Sequence, residues 1–138
     1  MRGKATLCAG VSVMDVTPPV GYLLFGHVAR NKPSQRVHDP LRLKVLTLSD
    51  GRERAAIVTS DLIGFSPESV AGIRRMAAER LGLAGNRIFL TASHTHTGPC
   101  MSRVSSFMVA EHILPDFISQ VEKKVVGGIA EATATERP

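Results

Sequence analysis

Two histidines one residue apart, His94 and His96, are the sharpest chemical feature of this 138-residue chain. They stand in Thr91-Ala92-Ser93-His94-Thr95-His96-Thr97-Gly98-Pro99, directly after the apolar run Ile88-Phe89-Leu90. An extended chain alternates its side chains between two faces, so His94 and His96 are expected to aim at one small volume at a sheet edge. Imidazole is the commonest metal ligand, and zinc is the metal such a pair suits best. The hydroxyls of Ser93, Thr95 and Thr97 leave room beside it for a metal or a substrate. The other reading of the pair is a hydrogen-bonded polar couple closing a strand.

Four further residues could take part. Asp61, in Thr59-Ser60-Asp61-Leu62, follows a buried strand, where open α/β sheets place ligand sites. It could orient a ligand imidazole through the far ring nitrogen, or it could cap a turn. His38, in Val37-His38-Asp39-Pro40, carries turn chemistry as much as site chemistry. His27, beside Gly26, sits in a loop that could reach a cleft. Cys100 follows the histidine motif as a ligand or as an ordinary loop thiol, and no C-x-x-C partner accompanies it. His112 reads as structural or solvated, and Asp15 as a turn former.

The elements that must position these residues follow from periodicity. Residues 6–16 alternate loosely and predict a strand of mixed burial, ended by Thr17-Pro18-Pro19. A loop of some 20 residues follows. Loops of that length are functional or disordered, and Tyr22, Leu23, Leu24 and Phe25 favour a functional one. Residues 41–48 and 54–62 predict a hairpin around Asp50-Gly51, the second strand buried on both faces. Ser66-Pro67-Glu68 opens a helix that Gly82 closes, with Val70, Ile73, Met76, Ala77 and Leu81 on its apolar face. A strand over 87–92 completes a right-handed βαβ unit. Residues 100–111 read as irregular or a short helix. A second helix runs over 115–132, and Gly127-Gly128 inside it marks close packing or a break. The fold class is therefore α/β: a mixed sheet with a hairpin and a βαβ unit, helices packed on it. One unit fills residues 1–138.

Composition narrows the function. Hydrophobic residues make up 43% and charged residues 21%, which is ordinary for a globular domain. The net charge of +5 invites nucleic acid, but the basic residues are scattered and one Tyr with no Trp offers no stacking platform. Nucleic-acid binding is therefore not expected. No apolar run approaches transmembrane length. Two cysteines and a basic Met1-Arg2-Gly3-Lys4 start without a signal core point to a cytoplasmic setting.

In order along the chain, five segments resemble the N-terminal part of the neutral/alkaline non-lysosomal ceramidase family. They are Ala9-Gly10-Val11 with Asp15-Val16-Thr17-Pro18-Pro19, Gly26-His27-Val28-Ala29-Arg30, Val37-His38-Asp39-Pro40-Leu41, Ala56-Ile57-Val58-Thr59-Ser60-Asp61-Leu62, and Ala92-Ser93-His94-Thr95-His96-Thr97-Gly98-Pro99. The resemblance implies a zinc-dependent amidase that cleaves the N-acyl bond of ceramide. It makes His94 a zinc ligand and His96 a ligand or a polarising, proton-handling group, with Asp61 beside it in catalysis. His27, Arg30 and His38 become substrate contacts. Two departures qualify it: Cys100-Met101 stands where such ceramidases continue Gly-Gly, and the family's further ligands (a histidine, a glutamate and a tyrosine) lie beyond the matched part. The expectation is part of an active site for a small-molecule or lipid amide, with Zn2+ as cofactor and homo-oligomerisation through an exposed sheet edge. The alternative is a binding or remnant domain without a complete metal site.

Overall fold

The computed structural model describes residues 6–27, 29–101 and 114–138. The expectations for the first four residues, for 102–111 and for His112 lie outside the described residues. The elements are β1 (Cys8–Asp15), β2 (Arg42–Ser49), β3 (Arg54–Ser60), α1 (Pro67–Leu81), a 3-10 turn (Gly85–Arg87), β4 (Ile88–Ala92) and α2 (Pro115–Ala134). They form one four-stranded sheet in the order β1-β2-β3-β4. The first two pairings are antiparallel and β3–β4 is parallel, so the hairpin and the βαβ unit are both present.

Local chemistry accounts for the helices. The Ser66 hydroxyl accepts from the Ser69 amide, Pro67 fills the first turn, and Gly82 closes α1 at φ 64°. Ile73 and Ala77 are fully buried against the core that also holds Leu43, Val58, Ile118 and Ile129. In α2, Gly127-Gly128 does not break the helix. A Cβ at Gly128 would lie 3.0 Å from Val45 and 3.2 Å from the Ser12 hydroxyl, so the pair marks close packing on the sheet.

That close packing sets the inward face of β1, a strand of mixed burial as expected, and the one-sided cover corrects the expectation for β3. The inward residues of β1 are Gly10 and Ser12, whereas Val11 and Val13 face outward at 67% and 59% exposure. A side chain at Gly10 would run into the Ala132 carbonyl of α2, and the Ser12 hydroxyl donates to the Gly128 carbonyl at 2.8 Å. Only small residues fit under the helix. Nor is β3 buried on both faces: Val58 is fully buried, but Ile57 is 37% exposed, because the helices cover one side only. At one sheet edge, Ala9 and Arg137 exchange backbone hydrogen bonds, which partly closes β1. β4 forms the other edge.

Two consequences can be measured. Gly10→Ala is expected to destabilise the fold by at least about 2 kcal/mol in urea titrations, since overpacking here meets backbone. Gly127→Ala, whose added methyl meets only the Met14 terminal methyl at 4.0 Å, is expected to gain about 0.5–1 kcal/mol. Acid stability offers a second check. Arg54 holds Glu136 through two hydrogen bonds of 2.7 and 2.9 Å and keeps its carboxyl below the usual range. A depressed carboxylate stabilises the fold above its unfolded pKa, and that contribution disappears as pH falls through the folded value. Glu136→Gln should therefore lower stability at neutral pH and shrink the gap to the native protein as acid is added.

Candidate functional site

Pairing of β4 with β3 ends at Ala92 opposite Ser60. Both chains then leave the sheet together, tied by Ser93 N–H to the Ser60 carbonyl at 2.9 Å and Thr95 N–H to the Leu62 carbonyl at 3.3 Å. His94 adopts the left-handed region at φ 58°, so strand alternation does not extend to the histidines. The expected strand-end geometry is thus corrected to a loop, because the ladder that would impose alternation has already stopped. The imidazoles are neighbours all the same, with ring centroids 5.2 Å apart at 62°.

The His94 ring is held by its Nδ1, 2.8 Å from the Ile63 carbonyl oxygen. A carbonyl can only accept, so Nδ1 carries the proton and Nε2 keeps its lone pair. That is the tautomer a metal ligand needs, fixed by a backbone carbonyl in the way second partners usually fix it. Asp61 does not do this work. Its Oδ2 accepts from the Arg42 amide at 2.9 Å and its own N–H donates to the Arg42 carbonyl, which makes it a cap on the start of β2.

A third imidazole comes from the long loop. His27 lies edge-on to His96, with centroids 5.4 Å apart at 84°. The loop is fastened to the histidine motif at three points. The Phe25 amide donates to the Gly98 carbonyl at 2.8 Å, and the Arg30 guanidinium donates to the His96 carbonyl at 2.8 Å. Between them Gly26, at φ 113°, backs onto His96 so closely that a Cβ would lie 2.7 Å from its Cα. Arg30 therefore grips the protein's own backbone at the place where a substrate contact was expected. Gly26 and the Ile63 carbonyl went unsingled in the sequence: a carbonyl leaves no side-chain signal, and the only mark of Gly26 is its place beside His27.

His38 lies apart from the imidazole group, its Nδ1 2.6 Å from Asp39 Oδ2 and its side chain 82% exposed. With Asp61, Arg36, Ser93, Thr95 and Thr97 it lines a cavity of about 580 Å3. The histidine loop thus presents its hydroxyl residues to that cavity, while His94, His96 and His27 are not among the lining residues. A second cavity of about 590 Å3 lies at the opposite end of the sheet, where Arg54 and Arg87 are engaged by Glu136 and Glu53. It contains none of the site residues expected from the sequence. Cys100 is buried, at 1% exposure. Among the described residues no three His, Cys, Asp or Glu side chains converge as a metal-binding group. The three imidazoles are neighbours, and only His94 has its ring fixed through a backbone carbonyl.

Because Gly26 leaves no room, Gly26→Ala is expected to displace His96. Its ring resonances should move in imidazole-detected NMR spectra while the amide signals of α1 stay in place. Unmoved His96 resonances would refute the contact. Arg30→Ala should broaden the same signals by freeing the His96 carbonyl.

No protein-family model matches the sequence, and a search of curated proteins gives no match. Solved structures do match. The neutral ceramidase from Pseudomonas aeruginosa superposes with a TM-score of 0.85 at 17% identity, over 99% of this chain and 23% of that one. A ceramidase complexed with C2 gives 0.83 at 18% identity, over 98% of this chain and 22% of that one. The chain spans less than a quarter of the length of these structures. Its fold is that of a partial neutral ceramidase region.

Proposed function

We propose that this chain forms the N-terminal part of a zinc-dependent, ceramidase-like hydrolase of N-acyl amides and carries part of its active site. The observation that supports the reading most is the fold match over nearly the whole chain, with the imidazole group on the loops at the C-terminal end of the parallel strands. Sites in open α/β sheets gather at that end.

In this reading His94 would hold zinc through Nε2, with His96 beside it as second ligand or proton carrier. A catalytic zinc takes three protein ligands, so the others must come from outside the group described here. When bound, zinc would supply a hydroxide near neutral pH and a Lewis acid for the amide carbonyl. The chain's own residues prepare the ground. Ile63 fixes the His94 tautomer, Arg30 and Gly26 fix the His96 backbone, and His96 can deliver or accept a proton at a ring nitrogen. The cavity beside the loop, with Asp61 and His38 in its wall, would receive part of a lipid or small-molecule amide. By itself the chain is expected to be inactive. No helix among the described residues is long and apolar enough to cross a membrane.

Elemental analysis tests the ligand role directly. Zinc retained by the native chain should be lost in His94→Ala and kept in His38→Ala, whose imidazole lies apart. Zinc content indifferent to His94→Ala would sink the reading and favour a binding module without metal chemistry.

A further inference from the structure

The titratable side chains that line the cavity of about 580 Å3 beside the histidine loop are Arg36, His38, Asp39 and Asp61. His38 and Asp39 are bonded to each other at 2.6 Å. Among the described residues Arg36 and Asp61 form no ion pair, with each other or with a third group. Asp61 accepts the Arg42 amide on Oδ2 alone, and the Arg42 guanidinium goes to Asp15 instead. The cavity wall thus holds a cation before β2 and a carboxylate oxygen after β3, each without an ionic partner.

That charge pattern selects a class of ligand. An anion is drawn to Arg36 and repelled by Asp61, and a cation meets the reverse. A dipolar molecule finds a complementary group at both ends. A guanidinium matches a carboxylate through two parallel hydrogen bonds, and the remaining Asp61 oxygen can accept from an ammonium. Pro18, Leu24, Val37 and Leu41 add an apolar wall, the usual partner of a few placed polar groups in a ligand pocket.

We infer that this cavity binds an apolar α-amino acid, with its carboxylate on Arg36, its ammonium on Asp61 and its side chain on the apolar wall. Resting on the hydrolase reading above, the amide cleaved would be an N-acyl amino acid whose amino-acid half lies here. Water adds across the C–N bond: the acyl carbon takes the hydroxyl, the nitrogen takes the hydrogen, and the new acid passes its proton to the amine.

Calorimetric titration of the 138-residue chain with leucine tests the binding, against isocaproate, which lacks the amine, and isopentylamine, which lacks the carboxylate. Leucine is expected to bind at least about tenfold more tightly than either analogue. Arg36→Gln should weaken leucine about tenfold without weakening isopentylamine. Asp61→Asn, which keeps an oxygen for the Arg42 amide, should weaken leucine without weakening isocaproate. Absence of leucine binding, an analogue that binds as tightly, or full leucine affinity in either variant would overturn the inference. The titration involves neither metal nor turnover. Leucine binding together with zinc content indifferent to His94→Ala would therefore keep this inference and sink the hydrolase reading.

Discussion

The parallel pairing of β3 with β4 is the contact on which the site depends. Parallel neighbours cannot be joined by a tight turn, so the chain must cross over, and α1 is that crossover. The crossover brings the ends of two strands side by side at Ser60 and Ala92. Beyond that point the segments 61–63 and 93–97 still run together through backbone hydrogen bonds. Those bonds carry His94 to the Ile63 carbonyl, which holds its Nδ1. The orientation of the His94 ring thus follows from strand topology, without a dedicated carboxylate.

A long loop would ordinarily be a poor support for a functional group, since its ordering costs conformational entropy at every residue. Here the loop between β1 and β2 is tied down along its length. Tyr22 packs edge-on to Phe117 of α2, with centroids 6.2 Å apart. Across its base Gly21 N–H donates to the Ser34 carbonyl and Ser34 N–H to the Tyr22 carbonyl, and Leu41 N–H donates to the Thr17 hydroxyl. Phe25 and Arg30 then grip the histidine motif. His27 reaches His96 because the loop that carries it is fixed at both its core end and its site end.

How much of this was legible in the sequence depends on which force set each feature. α1 could be read almost to the residue because its ends are fixed locally, by the Ser66 hydroxyl and by Gly82. The βαβ order and the hairpin were legible for the same reason. The two faces of β1 were not. Alternation separates Val11 and Val13 from Gly10 and Ser12, but which set faces in depends on α2, more than a hundred residues away. The proximity of His94 and His96 was read correctly from spacing and wrongly explained by strand geometry. Asp61 stood in the right place for an orienting carboxylate, and only the Arg42 amide decides that it caps a strand instead. Long-range backbone contacts, which no side chain advertises, account for each of these differences.

The imidazole group lies outside the core of the fold. A structural zinc site buried in a small domain is usually inseparable from folding, because its ligands are costly to hold together without the metal. His94 and His27 are instead exposed, and His94 already satisfies its Nδ1 on a carbonyl. The rings lie edge-on to one another, with centroids 5.2 and 5.4 Å apart. The core of Leu43, Val58, Ile73 and Ile129 lies elsewhere, between the sheet and its helices. The core that holds the fold together includes none of the three imidazoles. The sheet and its crossover position the imidazoles from outside that core, so a metal held there, as proposed, would not be needed for the chain to fold.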